Sequence, residues 1–322
     1  MNTILLNSTE SDISKAANLL MEGELVGIPT ETVYGLAADA SNVSAINKIF
    51  EVKGRPKNHP LILHLSGIEK LNEWAIDIPN SIEILSKNFW PGPMSVLLKK
   101  HPNVLKEITG GSNKICIRIP NHSVTLSLLK KLKNPIVAPS ANLFGRVSPT
   151  SAQHVFDDLN GKIAAILDGG QCQVGLESTI IDLTEYQPRI LRPGGITIEK
   201  FEKILDRKIS HDFKSNEKVS GNLVNHYQPI AAVYAYKKSE IEKIQIDLSK
   251  KRSVFLAFSE INKISIPIHK MPNEAKKYAQ VFYSTLRLMD ENKFENIFIE
   301  LPSEEEEWYA VHDRIKKASF KK

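Results

Sequence analysis

The sequence predicts an α/β protein of two domains joined by a polar linker. Three observations carry that expectation: strand-like and helix-like apolar patterns alternate up to residue 204, the pattern lapses over residues 207–229, and a second α/β alternation follows. The chain has 322 residues, 42% hydrophobic and 25% charged, the composition of a globular protein long enough for about two domains. Apolar residues at Ile13, Ala16, Ala17 and Leu20 fall at helical spacing, with Ser11 as a candidate N-cap and Gly23 as a stop. Leu25–Ile28 reads as a buried strand, Val43–Val52 as a helix, Leu61–Leu65 as a strand and Ile82–Phe89 as a helix ended by Trp90-Pro91-Gly92-Pro93. Met94–Leu98, Ile115–Ile119 and Ile136–Ala138 read as strands, Ala152–Leu159 as a helix, and Ile163–Leu167, Thr179–Leu183 and Arg189–Leu191 as strands before a closing helix at Ile196–Ile204. Residues 207–229 are polar and aperiodic. Ala231–Ala235, Val254–Phe258 and Asn296–Glu300 are the later strands; Glu274–Met289 and Ser303–Ser319 are the later helices. The expected boundaries are therefore 1–206, 207–229 and 230–322. Glu304–Glu307 opens the last helix, where the helix dipole favours negative charge.

Net charge is +5, without the clustered Lys and Arg of a module that binds nucleic acid through bulk charge. The two cysteines, Cys116 and Cys172, stand far apart, with no metal-ligand spacing and no disulfide framework. No leader pattern opens the chain and no apolar run nears the ~18 residues a membrane span needs, so a cytoplasmic protein with no membrane contact is expected. The phosphate-binding GxxxxGK[ST], the dinucleotide GxGxxG, HExxH and GxSxG are all missing.

Four stretches hold more polar, Gly and Pro residues than a core needs. Pro29–Leu36 offers two hydroxyls, a carboxylate and a phenol, and reads equally as a capped turn before a helix. Lys53-Gly54-Arg55-Pro56 puts two cations around a glycine that admits a close ligand, with His59 and His64 following; His64 also suits a hydrogen-bonded core histidine. Ala138–Gly145 with Ser148-Pro149-Thr150 is a hydroxyl- and amide-rich loop suited to an anion or to ordinary turns. Gly175–Thr179 and Arg192-Pro193-Gly194-Gly195 add a second glycine-flanked cation, and Arg118 ends a strand. Together they suit a small phosphate-bearing ligand held by position and electrostatics.

In order, PTETVYGLAADA, IFEVKGRPKNHPLILHL, FWPGPMSVLL, ICIRIP, APSANLFGRVSPTSA, LDGG, ESTIIDL and ILRPGGI resemble the threonylcarbamoyl-AMP synthase family, of the YrdC-like type, over about residues 13–200. SGNLVNHYQP resembles that family's interdomain linker, and the tail is similar to the C-terminal domain of its longer members. The resemblance implies a YrdC-like twisted mixed sheet with helices, followed by a smaller Rossmann-like α/β domain. It implies that L-threonine, bicarbonate and ATP, with Mg2+, give threonylcarbamoyl-AMP and pyrophosphate. The product would pass to a transferase complex that modifies tRNA, and a weak contact with tRNA itself is compatible with this.

The family's KxR…SxN signature falls on Lys53, Arg55, Ser140 and Asn142, the implied catalytic set. By the same resemblance Arg55, His59, Lys114, Ser140, Ser148, Arg192 and Tyr227 hold ATP, and Thr32, His64, Arg118, Ala138 (through its backbone) and Ser178 hold threonine. His59 stands where many members carry Asn, and Lys114 stands where side chains vary, so a backbone contact fits there as well. No protein metal ligand is implied. The linker would close as a lid over both substrates, with Leu223, Val224 and Tyr227 at its apolar end. Two rivals use the same cations: an RNA-binding module without adenylate-forming activity, and a carbamoyl-transferring enzyme, whose zinc-finger and acylphosphatase modules are absent.

Overall fold

The computed structural model describes residues 2–211, 219–221, 227–243, 252–261 and 266–319. Two compact units emerge, one of Met1–Phe144 and Ser148–Asn222, the other of Gly145–Val147 and Leu223–Lys322. Of the expected linker and lid, residues 212–218 and 222–226, with Leu223 and Val224, lie outside the described residues.

The first unit begins with β1 (Ile4–Leu6), α1 (Glu10–Met21), β2 (Val26–Ile28), β3 (Gly35–Asp39), α2 (Val43–Lys53), β4 (Ile62–His64) and β5 (Ala75–Ile76). It continues through α3 (Ser81–Phe89), β6 (Met94–Lys100), α4 (Lys106–Thr109), β7 (Lys114–Arg118), α5 (Ser123–Lys131) and β8 (Ile136–Val137). It closes with α6 (Ala152–Leu159), β9 (Ala165–Leu167), β10 (Thr179–Asp182), β11 (Arg189–Arg192), α7 (Ile198–Leu205) and β12 (Ser210–His211). These strands form one mixed sheet in the order β1-β9-β2-β3-β8-β4-β7-β6-β10-β11-β12, with β5 paired to β6. β4 runs parallel to β7, β7 antiparallel to β6, and β6 parallel to β10.

The apolar stripe of α1 is buried as its spacing predicts, and it packs with Val124, Leu128 and Leu129 of α5 over β2 and β9. Each fully buried Leu or Ile there contributes about 1.5–3 kcal/mol of hydrophobic stabilisation. The cap differs from expectation: Thr9, not Ser11, accepts from the Asp12 N–H. An Asp two residues into the turn complements the dipole, so the helix starts earlier than its apolar stripe.

Pro29–Leu36 was open to reading as a turn before a helix, but it leads into strand β3. The residues Gly35-Leu36-Ala37-Ala38-Asp39 lack β-branched side chains, and their strand conformation comes from pairing with β2 and β8.

The second unit contains β13 (Ala232–Tyr236), β14 (Ser253–Ala257), β15 (Ile268–Lys270), α8 (Ala275–Glu291), β16 (Asn296–Glu300) and α9 (Tyr309–Ala318). Its sheet is wholly parallel, ordered β13-β16-β14-β15. β14 and β16 are buried at every residue, as strands covered on both faces must be. α8 buries Tyr278, Phe282, Tyr283, Leu286 and Met289 along one stripe. The acidic run precedes the last helix rather than opening it: a 3-10 turn at Glu306–Trp308 comes first, and α9 begins at Tyr309. At the carboxyl end of β16, buried Glu300 accepts the N–H groups of Phe258 and Ser259, both at 3.0 Å.

Candidate functional site

Strand register builds the centre of the site. His64 of β4 pairs with Arg118 of β7, Arg118 with Ser95 of β6, Ser95 with Ile180 of β10, and Ile180 with Arg192 of β11. Paired residues share a face, and adjacent strands lie ~4.8 Å apart. One row across five strands therefore brings a histidine and two arginines together from distant parts of the sequence.

Each member of the row is held by the scaffold. His64 Nδ1 lies 3.0 Å from the Ile62 carbonyl, which can only accept, so Nδ1 carries the hydrogen and Nε2 is left as an acceptor. Burial, then the nearby Arg118 charge, pushes the His64 pKa down to about 3, so the ring is neutral. Arg192 donates from Nε (3.0 Å) and Nη2 (2.8 Å) to the Ser178 carbonyl, from Nη2 to Ser178 Oγ (3.0 Å), and from Nη1 to the Ser220 carbonyl (2.7 Å). Ser178 Oγ is also 2.7 Å from Ser95 Oγ.

Arg118 ties this row to the loop between β2 and β3. Its Nη1 donates to Thr32 Oγ1 at 2.8 Å. Thr32 Oγ1 is 2.8 Å from Thr30 Oγ1, which donates to the Val33 carbonyl at 2.6 Å. Because the Thr30 proton is committed to Val33, Thr32 is the donor between the two hydroxyls, and the chain runs in one direction from Arg118 to the backbone. Arg118 Nη2 lies 2.7 Å from Glu31 Oε2, a charge contact rather than an aligned hydrogen bond.

A second group forms where α2 ends. Gly54 takes the left-handed conformation, φ +63°, and caps the helix; an added Cβ there would meet nothing within 4 Å. Its left-handed φ, not crowding, favours glycine at the chain reversal that turns both Lys53 and Arg55 inward. Lys53 Nζ donates to the carbonyls of Ser140 and Asn142. Burial, then the Arg55 charge, holds its pKa well below the ordinary lysine value. Arg55 Nη2 donates to the Pro60 carbonyl at 2.9 Å, its guanidinium sits 5.8 Å from the Phe144 ring centre, and His59 meets the same ring edge-on at 5.5 Å. The two groups share backbone: Ala141 N–H donates to Tyr34 O (2.9 Å) and Tyr34 N–H to Pro149 O (2.8 Å).

The other expected residues are placed as follows. Ala138 follows β8 and donates its N–H to Ile62 O at 3.0 Å. Ser148 donates to Glu177 Oε1 at 2.6 Å. Asn142 Nδ2 donates to Leu143 O at 2.6 Å. Lys114 begins β7, at the opposite end from Arg118, roughly 13 Å along the strand; its Nζ lies 3.5 Å from Asp182. Tyr227 belongs to the second unit, at φ +64°, with its ring 5.5 Å from that of Tyr283 and 5.3 Å from the Arg314 guanidinium. Gly194 serves a close approach, but to the protein's own chain: a Cβ there would lie 2.3 Å from the Thr179 nitrogen and 2.5 Å from the Glu177 carbonyl oxygen.

Lys53, Arg55, Arg118 and Arg192 are only 2–6% exposed. Buried cations are rare unless matched by anions, and this wall of cations, hydroxyls and backbone amides suits a ligand carrying both carboxylate and phosphate. The sequence placed Glu31, Phe144 and Glu177 inside the candidate polar stretches without assigning them a role, and it did not single out Ser95. Their partners are remote in sequence: strand register brings Ser95 into the row, and loop contacts bring in Glu31, Phe144 and Glu177.

Comparison with known proteins fits this geometry. A family model described as "Telomere recombination", for Sua5, YciO and YrdC proteins, matches residues 18–194, and the model for the threonylcarbamoyl-AMP synthase C-terminal domain matches residues 196–319. The threonylcarbamoyl-AMP synthase of Pyrococcus abyssi is 37% identical over 98% of this chain and 98% of its own. The chain belongs to the threonylcarbamoyl-AMP synthase family. The Bacillus subtilis threonylcarbamoyl-AMP synthase is likewise 37% identical, over 98% of this chain and 94% of its own. The crystal structure of P. abyssi Sua5 complexed with L-threonine superposes with a TM-score of 0.92 at 38% identity, over 98% of each chain. The expected fold, a large mixed α/β sheet followed by a smaller parallel-sheet domain, is the family's fold.

Proposed function

We infer that this chain is an L-threonylcarbamoyladenylate synthase, condensing L-threonine, bicarbonate and ATP into threonylcarbamoyl-AMP and pyrophosphate. The observation that carries the reading is the buried row His64–Arg118–Ser95–Arg192, tied by Arg118 to the Thr32 loop, whose Tyr34 carbonyl accepts the Ala141 N–H of the loop that Lys53 holds. Arg118 receives the threonine carboxylate on its guanidinium fork. Thr32 Oγ1, already accepting from Arg118 and donating to Thr30, keeps a lone pair for the substrate hydroxyl, and Ser178 flanks it. A buried polar partner of this kind rejects valine far better than an apolar pocket would. Carboxylation of the threonine amine gives a carbamate anion. That anion attacks the α-phosphate, and pyrophosphate leaves. Lys53 and Arg55 set positive charge beside the phosphates, where negative charge crowds in the transition state, and Arg192, Ser140 and Ser148 complete the nucleotide side. Lys53 also fixes the 140–142 backbone against the end of α2. Mg2+ enters with ATP as part of that substrate. The product is a labile mixed anhydride, so the reading includes direct use by a tRNA-modifying transferase complex in the cytoplasm.

The test is pyrophosphate release by the purified protein, omitting ATP, L-threonine, bicarbonate and magnesium in turn. Release that requires all four, and that Arg55→Ala reduces at least tenfold, is expected. Threonine-independent release, or none from folded protein, refutes the reading.

A further inference from the structure

We propose that Glu31 is the ammonium-binding residue of the amino-acid site, and that its contact with Arg118 is the one a substrate carboxylate takes over. The proposal rests on the placement of threonine at Arg118. Glu31 is 4% exposed, yet its Oε1 has no hydrogen-bond partner and its Oε2 has only the 2.7 Å charge contact with Arg118 Nη2. A carboxylate taken out of water normally accepts several aligned hydrogen bonds. The backbone here is not loose, since the Glu31 carbonyl accepts the Val174 N–H at 2.7 Å. The under-satisfied carboxylate is therefore a property of a fixed loop.

Among the described residues, the groups around it offer no second countercharge. Burial lowers the pKa of His122, and burial together with the Glu31 charge pushes the Cys172 thiol up to about 12, so both are neutral near pH 7. Thr30 and Thr32 have their hydroxyl protons committed within the loop. Glu31 and Arg118 thus form an isolated, poorly aligned ion pair beside the recognition hydroxyl Thr32.

An α-amino acid is a zwitterion, and such a pair is its electrostatic complement. When it binds, its carboxylate takes Arg118 and its ammonium takes Glu31. Two charges exchange partners, and the buried site gains no net charge. A hydroxy acid of the same shape brings an uncompensated negative charge to a carboxylate that has lost its cation. Glu31 then makes the site specific for amino acids and holds the nitrogen that becomes carboxylated.

The test is calorimetric titration of L-threonine and of (R)-3-hydroxybutanoate, which has the same carboxylate and hydroxyl but no amine, with α,β-methylene-ATP present throughout. The wild type is expected to prefer threonine by at least tenfold, the scale of one charge-assisted hydrogen bond. In Glu31→Gln, threonine binding should weaken tenfold or more, while 3-hydroxybutanoate binds as well or better, because the competing carboxylate is gone. A merely structural role for Glu31 would weaken both ligands together, and that result overturns the proposal. Should the variant not fold, equal affinity of the wild type for the two ligands overturns it as well. Arg118→Lys separates the underlying reading: unchanged binding of both ligands there refutes threonine at Arg118 itself. Loss of both in Arg118→Lys, with the preference intact in Glu31→Gln, refutes Glu31 alone.

Discussion

His64 makes the first unit acid-sensitive through one identifiable group. The ring is 3% exposed, and burial, then Arg118, depresses its pKa from 6.5 to about 3. Below pH 6.5 the unfolded chain takes up a proton that the folded chain refuses. The stability contributed by a neutral His64 is thus complete above pH 6.5 and is lost as pH falls toward about 3. Each pH unit in that window removes about 1.4 kcal/mol, so about 2 kcal/mol is gone at pH 5. His64→Asn removes the titration and keeps a donor for the Ile62 carbonyl. Urea unfolding of both proteins, each carrying Trp308→Phe so that Trp74 and Trp90 alone report the first unit, should be followed at pH 7.5 and pH 5 by tryptophan fluorescence. The variant carries a constant packing penalty, and all other acid effects are common to both proteins. The wild-type advantage should therefore shrink by about 2 kcal/mol between the two pH values. An advantage that is the same at both pH values refutes a depressed His64 pKa.

Two glycines should respond differently to a methyl group. Gly194→Ala drives a Cβ to within 2.3 Å of backbone and should cost about 3 kcal/mol. Gly54→Ala meets open space but keeps φ +63°, and should cost about 1 kcal/mol; equal shifts in urea midpoint would contradict this. Tyr278→Phe removes a buried hydroxyl without a hydrogen-bond partner and should leave the second unit as stable or up to about 1 kcal/mol more so, whereas a clearly lower Tm would count against it. Burial pushes both cysteine thiols up to about 12, so Cys116 and Cys172 should react with a thiol reagent at pH 8 only after urea is added. Prompt labelling of the native protein would refute their inertness.

The legible part of the fold was the part written in local pattern. α1, α2, α3 and α6 carry apolar stripes, β6 opens on a mostly apolar run at Met94–Leu98, and β7 and β10 are isoleucine-rich. What was not legible depended on partners. β3 is small-residue sequence turned into strand by β2 and β8. β1, Ile4–Leu6, pairs with β9 from across the chain. α5, Ser123–Lys131, has β-branched residues in its first turn and is fixed by packing on α1 and β2. Local propensity is a weak prior in each case, and tertiary contacts overrode it.

The site divides along the same line. Lys53, Arg55, Ser140 and Asn142 stood out because glycine and proline punctuate their loops, and a backbone reversal such as Gly54 leaves a mark in sequence. The glycines at 194 and 195 left the same mark for a different reason: Gly194 makes room for the chain's own Glu177–Thr179 backbone. The partners of the carboxylates were hidden. Glu31 and Glu177 sit among Thr and Ser residues that any turn would carry, and nothing local says that one meets Arg118 and the other Ser148. The buried cations announce an anionic ligand, but only the placement of their acidic partners determines how much of that charge is already matched. Lys53 is matched by neutral carbonyls and Arg118 by a misaligned carboxylate. A phosphate at Lys53 therefore meets a cation whose direct partners are neutral, whereas an amino acid at Arg118 replaces a carboxylate. Nucleotide affinity should accordingly fall steeply with salt while threonine affinity barely changes, since only the first binding step neutralises net charge.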